Sequence, residues 1–131
     1  MPGVIVDTSV WVPFFRSRGS PEHLVVDRLL ERREATLVGA VLAEVLQGAR
    51  SPQEFEQLSE HLIGLPYAAE TRETWATVGA LSYQLRQRGV TLGLVDLLIA
   101  ALALEHDCEV YTLDEHFRRI PGVKLHAPGA T

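Results

Sequence analysis

The chain has 131 residues, of which 47% are hydrophobic and 22% are charged, as in an ordinary globular protein, and we expect one domain over residues 1–131. The single cysteine excludes an internal disulfide and suits a reducing compartment. A net charge of −5, taken alone, argues against a nucleic-acid partner.

Two segments bear on targeting. The opening MPGVIVDTSV lacks the basic region and the long apolar region of a secretion signal. The most apolar run, residues 92–104, is too short to span a bilayer and contains Asp96. We therefore expect a soluble cytoplasmic protein with no membrane association.

Basic residues are grouped, which the net charge conceals. Eleven of the 12 are arginine, the side chain best shaped for bidentate contact with phosphate. The alternative is that they lie on solvated helix faces beside glutamates, and charge alone does not decide between the two. The groups are Arg16 and Arg18; Arg28, Arg32 and Arg33; Arg86 and Arg88; Arg118 and Arg119.

The first third of the chain predicts a strand and two helices. Val4–Val6 is a short apolar run typical of a buried strand, and Thr8–Phe15 predicts a helix with an internal proline. Ser20 and Pro21 form an N-cap and first-turn pair, so a second helix is expected to run to about Arg33. Its inward residues are expected to be Leu24, Val25, Val26 and Leu29.

The middle of the chain continues the alternation. Thr36–Val38 is a second strand candidate and precedes a helix over about Ala40–Ala49. Ser51–Glu54 fits a capping box, which predicts a helix to about Leu62, and Leu65–Ala68 is a candidate third strand. The inward stripe of the first of these helices is predicted to be Leu42, Val45, Leu46 and Ala49.

The last third adds two helices and two strands. Thr71–Arg88 is amphipathic and Gly89 is placed to end it; the apolar helix around Asp96 follows. Glu109–Leu113 and Val123–His126 are predicted strands. The alternation predicts an α/β domain with a mainly parallel central sheet of four to five strands flanked by helices. The inward residues of the amphipathic helix are predicted to be Trp75, Val78, Leu81 and Leu85.

Four acidic residues occupy positions that open on one edge of such a sheet. Asp7 directly follows the first strand and Asp114 directly follows the strand predicted over Glu109–Leu113. Ligands of open parallel sheets bind beyond the carboxyl ends of strands. Glu44 points away from the apolar stripe of its helix, and Asp96 is the only charged residue in residues 92–104. These four acids are therefore candidates for one site.

Each acid also has a local explanation that the residues leave open. Asp7 is suited to starting a turn, and Glu44 to a solvated surface. Asp96 near the start of its helix complements the helix dipole, whereas Asp114 is placed to cap the turn that follows it.

A shared site needs a counter-charge, because four carboxylates around one cavity repel each other when ionised. The natural partner is a hard divalent cation that prefers oxygen ligands, Mg²⁺ or Mn²⁺. Such ions bridge protein carboxylates to substrate phosphates, so the acids predict phosphodiester hydrolysis.

Four segments resemble, in order and approximate spacing, the motifs of PIN-domain ribonucleases. They are Val4–Trp11 (VIVDTSVW), Glu44–Ala49 (EVLQGA), Asp96–Ala101 (DLLIAA) and Tyr111–Phe117 (YTLDEHF). The compact chain is similar to the VapC-type toxins of bacterial and archaeal toxin–antitoxin pairs. The resemblance covers nearly the whole chain.

The resemblance implies a division of labour. Asp7 and Asp96 become the principal metal ligands, Asp114 completes the site directly or through water, and Glu44 holds metal-bound water or a second ion. It also implies RNA cleavage that leaves a 5′-phosphate, a homodimer, and a cognate antitoxin whose tail blocks the site. Hydroxyls expected to orient the carboxylates or to touch phosphate are Thr8, Ser9 and Thr112. An apolar group that is either core or an antitoxin docking face comprises Trp11, Val12, Phe14 and Phe15.

One position departs from the family pattern. Many relatives carry a second acid two residues after the one at the Asp114 position, where this chain has His116. The number of bound metal ions is therefore left open. We expect His116 to be an ordinary exposed histidine, with a role as a metal ligand as the alternative.

Three other functions compete. A phosphatase of the haloacid-dehalogenase type also places an Asp after its first strand, but it needs a second Asp where this chain has Ser9 and a lysine near the later strands, where the only lysine is Lys124. A receiver-like signalling module needs a paired acid beside Asp7 and a phospho-acceptor Asp after a middle strand, and the sequence has neither. A catalytically silent PIN scaffold acting as a binding protein is the third, and the intact acids argue against it.

Overall fold

The computed structural model describes residues 3–127, which form a parallel sheet with helices packed around it. Its strands are β1 (Val4–Val6), β2 (Ala35–Thr36), β3 (Glu109–Tyr111) and β4 (Lys124–Leu125). Its helices are α1 (Thr8–Arg16), α2 (Pro21–Glu31), α3 (Gly39–Gln47), α4 (Pro52–Leu62), α5 (Arg72–Gln87) and α6 (Leu94–His106), with a short 3₁₀ helix over Glu115–Arg119.

The sheet has the order β2-β1-β3-β4, and every neighbouring pair is parallel. The central strand β1 pairs with β2 through Val4 and Ala35, and with β3 through Val6 and Tyr111. All three residues of β1 are buried, as expected for a strand covered on both faces. The predicted α/β fold with a mainly parallel sheet is confirmed, with four strands.

Three predicted strands are shorter than expected, and a fourth is reduced to a single bridge. The second strand ends at Thr36. The third predicted strand, Leu65–Ala68, is reduced to an isolated bridge between Tyr67 and Leu37. The strand predicted to reach Leu113 ends at Tyr111, because the amide of Leu113 turns to the hydroxyl of Ser9 at 3.0 Å. The last strand is limited to Lys124–Leu125. After the second strand the chain begins helix α3, and after the strand that ends at Tyr111 it turns into the 3₁₀ helix.

Helix starts follow the predicted caps. The Ser20 hydroxyl accepts the amide of His23 at 3.1 Å, and the Ser51 hydroxyl accepts that of Glu54 at the same distance. The expected capping box at Ser51 is only half formed, because the Glu54 carboxylate accepts the Arg50 amide instead. Gly89 follows α5 with φ of 78°, a left-handed conformation that favours glycine and ends the helix.

Two predicted inward residues point outward, and one stripe is shifted. Leu24 is 62% exposed and Trp75 is 47% exposed. Apolar residues cover too wide an arc of α2 for the sequence to select an edge, and on α5 the buried place belongs to Thr74. On α3 the fully buried residues are Val41 and Val45, while the other predicted members are partly buried against the core: Leu42, Leu46 and Ala49.

Helix α6 anchors the interior. Its residues Leu97–Ala103 are all buried, and it packs against α5 and β3. Asp96 is its third residue, so the burial of the following two turns fixes where that carboxylate lies. Within residues 3–127, no helix is long and apolar enough to cross a membrane.

Candidate metal centre

The site is built where two neighbouring parallel strands end. Asp7 follows β1 and donates its amide to the carbonyl of Tyr111, the last residue of β3, at 2.9 Å. Thr112 and Asp114 come next after β3. Because β1 and β3 are parallel neighbours, these side chains emerge at the same edge of the sheet, as the strand-end argument predicts.

The Asp7 carboxylate is buried and held by two hydroxyls. Asp7 is 6% exposed, and its Oδ2 accepts hydrogen bonds from the hydroxyls of Ser9 at 2.8 Å and Thr112 at 2.9 Å. Each hydroxyl also accepts a backbone amide at 3.0 Å, Ser9 from Leu113 and Thr112 from Asp114. These amides leave each hydroxyl proton to point at Asp7, so the chain orients this carboxylate before any ligand binds.

Asp7 is the N-cap residue of α1, yet its side chain makes no capping hydrogen bond. The proposed alternative, that it serves only to start a turn, therefore lacks the hydrogen bond on which such turns depend. Its polar contacts are directed at the strand ends instead.

Asp114 has two roles in the geometry. Its Oδ1 accepts the amide of His116 at 2.9 Å and so caps the 3₁₀ helix, as the local explanation predicts. The same carboxylate also joins Asp96 and His116 in a group whose potential ligand atoms all lie within 4.8 Å of one another, found in a search of residues 3–127. Capping and convergence on a shared site are thus compatible.

Asp96 lies in surroundings that disfavour its charged form. Burial raises the pKa of Asp96 above its ordinary value, and the charges of Asp7 and Asp114 raise it further. The imidazole of His116 lowers this pKa, whereas Glu44 adds a smaller rise. Three other carboxylates therefore act on Asp96 at once. The N-cap of α6 is a glycine, so no side chain caps this helix.

Glu44 approaches from α3. Its Oε1 accepts the hydroxyl of Thr8 at 2.7 Å, which ties the first turn of α1 to α3. This hydrogen bond uses one of the two carboxylate oxygens. Glu44 is half-buried and also lines a groove between α1 and α4, so it lies at the border between the acids and that groove.

Arginines lie on two sides of the acids. Arg16 and Arg18 line the groove that Glu44 borders, and Arg118 and Arg119 line a hollow with Asp114. Within residues 3–127 no arginine comes within 4.0 Å of a carboxylate oxygen. The glutamate ion pairs expected for solvated helix faces are therefore not formed, and these cations are available to a ligand.

The structure places each of the seven predicted site residues next to at least one other. Ser9 and Thr112 bind Asp7, Thr8 binds Glu44, and Asp114 stands beside Asp96. Among residues 3–127 the hydrogen bonds form two separate groups, one around Asp7 and one that joins Thr8 to Glu44, whereas Asp96 is related to Asp114 by proximity alone. Lys124, the lysine considered for a phosphatase, is exposed and pairs with Asp107 at 3.3 Å.

His116 is the residue whose position the sequence underestimates. It is exposed, as expected, but its ring belongs to the group with Asp96 and Asp114. The signal available in the sequence was its place two residues after a strand-end acid, inside the first turn of a short helix.

Comparison with known proteins agrees with this geometry. The sequence model of the PIN domain matches residues 4–123. This chain belongs to the PIN-domain family. Ribonuclease VapC11 of Mycobacterium tuberculosis is 30% identical over 118 residues, which cover 87% of this chain and 88% of the relative. The chain is therefore a member of the VapC branch of that family, and the predicted resemblance is confirmed.

Solved structures share the fold. VapBC2 from Rickettsia felis, bound to a DNA fragment from its promoter, matches with a TM-score of 0.81 at 23% identity, over 94% of this chain and 96% of the other. The sarcin–ricin-loop-cleaving toxin VapC20 of Mycobacterium tuberculosis matches with a TM-score of 0.69 at 16% identity, over 95% and 100%. The sheet and its helices are thus those of the PIN fold.

Proposed function

We propose that this chain is a metal-dependent endoribonuclease that hydrolyses RNA phosphodiester bonds, and that it is the toxin of a type II toxin–antitoxin pair. The observation that carries the proposal is the convergence of acids at one edge of the sheet: Asp96 and Asp114 offer ligand atoms within 4.8 Å of each other, and Asp7 lies at the end of the neighbouring strand, bound to Thr112. The raised pKa of Asp96, caused by burial and by the charges of the other acids, agrees with this. Carboxylates that repel one another at a half-open site gain most from a divalent cation. Membership of the VapC branch supports the same activity.

Asp7, Asp96 and Asp114 are proposed to hold Mg²⁺ or Mn²⁺. The fit is chemical, since carboxylate oxygens are the ligands these ions prefer. When bound, such an ion neutralises the acids and activates both a water and the scissile phosphate. The hydroxyls of Ser9 and Thr112 hold Asp7 in place and reduce the reorganisation needed on binding.

Glu44 is proposed to orient the attacking water. The Thr8 hydroxyl fixes one oxygen of Glu44 at 2.7 Å, so the other is free to accept a proton as water attacks phosphorus. The attack breaks the bond from phosphorus to the 3′-oxygen, which takes a proton from solvent to become a 3′-hydroxyl, and the phosphate remains on the 5′ side. Glu44 therefore contributes positioning and proton acceptance rather than a first metal ligand.

The arginines are proposed to bind the RNA backbone on both sides of the reacting phosphate. Arg16 and Arg18 border the groove at Glu44, whereas Arg118 and Arg119 border the hollow at Asp114. Guanidinium groups match phosphate oxygens in a bidentate way, and none of these four is engaged by a carboxylate among residues 3–127. The chain thereby binds a polyanion despite a net charge of −5.

An antitoxin is proposed to dock in the groove beside Glu44. The groove has a volume of about 430 Å³ and combines apolar residues such as Val12, Phe14 and Leu58 with the arginines. Trp11 is buried core, whereas Val12 is partly exposed on the groove, so the predicted apolar group divides between both roles. A segment lying there reaches the acids directly. A homodimer and a cytoplasmic location remain predictions.

The decisive test is cleavage of a total-RNA pool by the purified chain. We expect fragments with 5′-phosphate ends in Mg²⁺ or Mn²⁺ and none in EDTA. Asp7→Asn and Asp96→Asn are expected to abolish cleavage. Asp107→Asn is the matched control, because Asp107 is an exposed C-cap residue in the left-handed conformation that Asn tolerates.

Three outcomes contradict the proposal. Cleavage that persists in EDTA removes the metal mechanism, and full activity in both site variants removes the assigned acids. Hydrolysis of a small phosphomonoester with intact RNA favours a phosphatase instead. A chain that binds RNA without cleaving it under any of these conditions is a binding scaffold.

A further inference from the structure

His116 occupies a position that an exposed histidine does not need. Its side chain is 58% exposed, yet its Nδ1 lies 3.1 Å from Oδ1 of Asp114. One of its ring nitrogens also lies within 4.8 Å of a carboxylate oxygen of Asp96. The imidazole therefore faces the same small volume as two acids from different elements of the fold.

Local structure holds the ring there. The Asp114 carboxylate caps the 3₁₀ helix by accepting the amide of His116, so backbone and side chain of this histidine meet the same oxygen. The next residue, Phe117, is completely buried and anchors the helix in the core. The backbone at His116 is therefore held by the Asp114 cap before it and by buried Phe117 after it, and its ring rests against the Asp114 carboxylate.

A neutral imidazole is a ligand that changes which metal a site prefers. Mg²⁺ takes oxygen ligands almost exclusively, whereas Mn²⁺, Co²⁺ and later first-row ions accept nitrogen readily. A site of carboxylates alone discriminates weakly among these ions. A site of two carboxylates and one imidazole favours the transition metals.

We propose that His116 is a nitrogen ligand of the metal centre, and that it shifts the centre from Mg²⁺ towards Mn²⁺ or Co²⁺. The inference rests on the proposed metal-dependent function, and it assigns to that site a ligand outside the four acids. The ligand set is then Asp96, Asp114 and His116, with Asp7 completing it from the strand end.

The first test measures metal binding without RNA, by calorimetric titration of the full chain with Mn²⁺ and separately with Mg²⁺. We expect His116→Gln to weaken Mn²⁺ binding by roughly 10- to 100-fold while Mg²⁺ binding changes less than about threefold. His116→Asp supplies an oxygen and is expected to strengthen Mg²⁺ binding, so that the preference for Mn²⁺ disappears. His106→Gln is the matched control, because His106 is an exposed histidine at the end of α6.

The second test detects the nitrogen directly. Pulsed electron paramagnetic resonance of the Mn²⁺-loaded chain is expected to show a coupled nitrogen whose signal changes when the histidines are labelled with ¹⁵N. The coupling is expected to vanish in His116→Gln and to persist in His106→Gln.

The outcomes separate this inference from the function on which it rests. If His116→Gln keeps both the Mn²⁺ affinity and the nitrogen coupling of the parent chain, while Asp96→Asn loses metal binding, the ligand assignment is wrong and the metal centre stands. If the parent chain binds neither Mn²⁺ nor Mg²⁺, the proposed function fails together with the ligand.

Discussion

Two regions of this chain use a threonine in the same way and to different ends. At the sheet edge, the Thr112 hydroxyl accepts a backbone amide and donates to the carboxylate of Asp7 at 2.9 Å. At the start of α5, the Thr74 hydroxyl accepts the amide of Thr71 and donates to the carboxylate of Glu105 at 3.0 Å. The hydrogen-bond pattern is the same in both.

The difference lies in the surroundings of each carboxylate. Asp7 is buried, receives a second hydroxyl on the same oxygen, and acts electrostatically on Asp96. Glu105 is exposed on the last turn of α6, and its hydrogen bond completes a helix cap. A threonine bound to a carboxylate is thus no sign of function in itself. The convergence of further acids gives the first region its chemistry.

The sharpest contrast is between the two carboxylates. Asp7→Asn is expected to lower the rate of RNA cleavage by more than about 100-fold, because the metal loses an oriented ligand. Glu105→Gln keeps a hydrogen-bond acceptor for Thr74 and is expected to cleave within about twofold of the parent chain. Single-turnover cleavage of a labelled RNA compares them. Equal losses in both variants contradict the distinction drawn between the regions.

The two threonines test the same contrast one step further from the metal. Thr112→Val is expected to reduce cleavage by about 10- to 100-fold, since an orienting partner of a metal ligand is lost. Thr74→Val is expected to leave cleavage unchanged. It is expected to lower the free energy of unfolding by about 1 to 3 kcal/mol, because the amide of Thr71 and the carboxylate of Glu105 each lose a hydrogen-bond partner. Cleavage rates and urea denaturation of both variants provide the comparison. A large activity loss in Thr74→Val is the contrary result.

RNA is expected to contact the arginines that flank the acids and not those at the end of α5. Replacing Arg118 and Arg119 with alanine is expected to reduce the slope of log affinity against log salt by about 1.4, the value for two lost phosphate contacts to a single strand. The matched pair on the end of α5, Arg86 and Arg88, is expected to change it little. The measurement is the anisotropy of a labelled single-stranded RNA in EDTA. Equal changes in both pairs indicate non-specific attraction.

The smallest effect concerns stability and pH in the metal-free chain. Since the folded pKa of Asp96 is raised above 3.8, its contribution to stability is fully present below that pH and is lost as pH rises through the raised pKa. The Asp96→Asn variant has no carboxyl group to titrate at this position, so its stability does not fall in this way. The variant is therefore expected to gain stability relative to the parent chain as the pH rises above about 4.

Addition of Mn²⁺ is expected to reverse that order by stabilising only the parent chain. Thermal unfolding with and without Mn²⁺ at several pH values checks both statements. Asp107→Asn is expected to follow the parent chain throughout, because Asp107 is exposed and precedes β3, at the edge of the sheet opposite the acids.

Much of the site was predictable because strands end where their apolar residues end. The position of Asp7 after β1 and of Asp114 after β3 follows from that rule together with parallel pairing. The position of His116 does not, since a short 3₁₀ helix aims its ring and no periodicity marks such a helix.

The errors in helix faces have a similar physical origin. Leu24 was assigned to the interior because apolar residues surround much of α2, and the packing of Val26 and Leu29 leaves it outside. On α5 Thr74 is buried in place of Trp75, because its hydroxyl takes part in the helix cap and donates a hydrogen bond to Glu105. Packing and capping of this kind depend on neighbours that are remote in sequence.

The hydrogen bond between Asp7 and Thr112 joins residues 105 positions apart. During synthesis the amino-terminal acid emerges from the ribosome long before its partners, and the β1–β3 pairing that aligns them must wait for nearly all of the helical layer. A chain able to cleave RNA is therefore assembled beside ribosomal and messenger RNA in an inactive form. Topology alone delays the appearance of the nuclease centre until translation has passed the last of its acids.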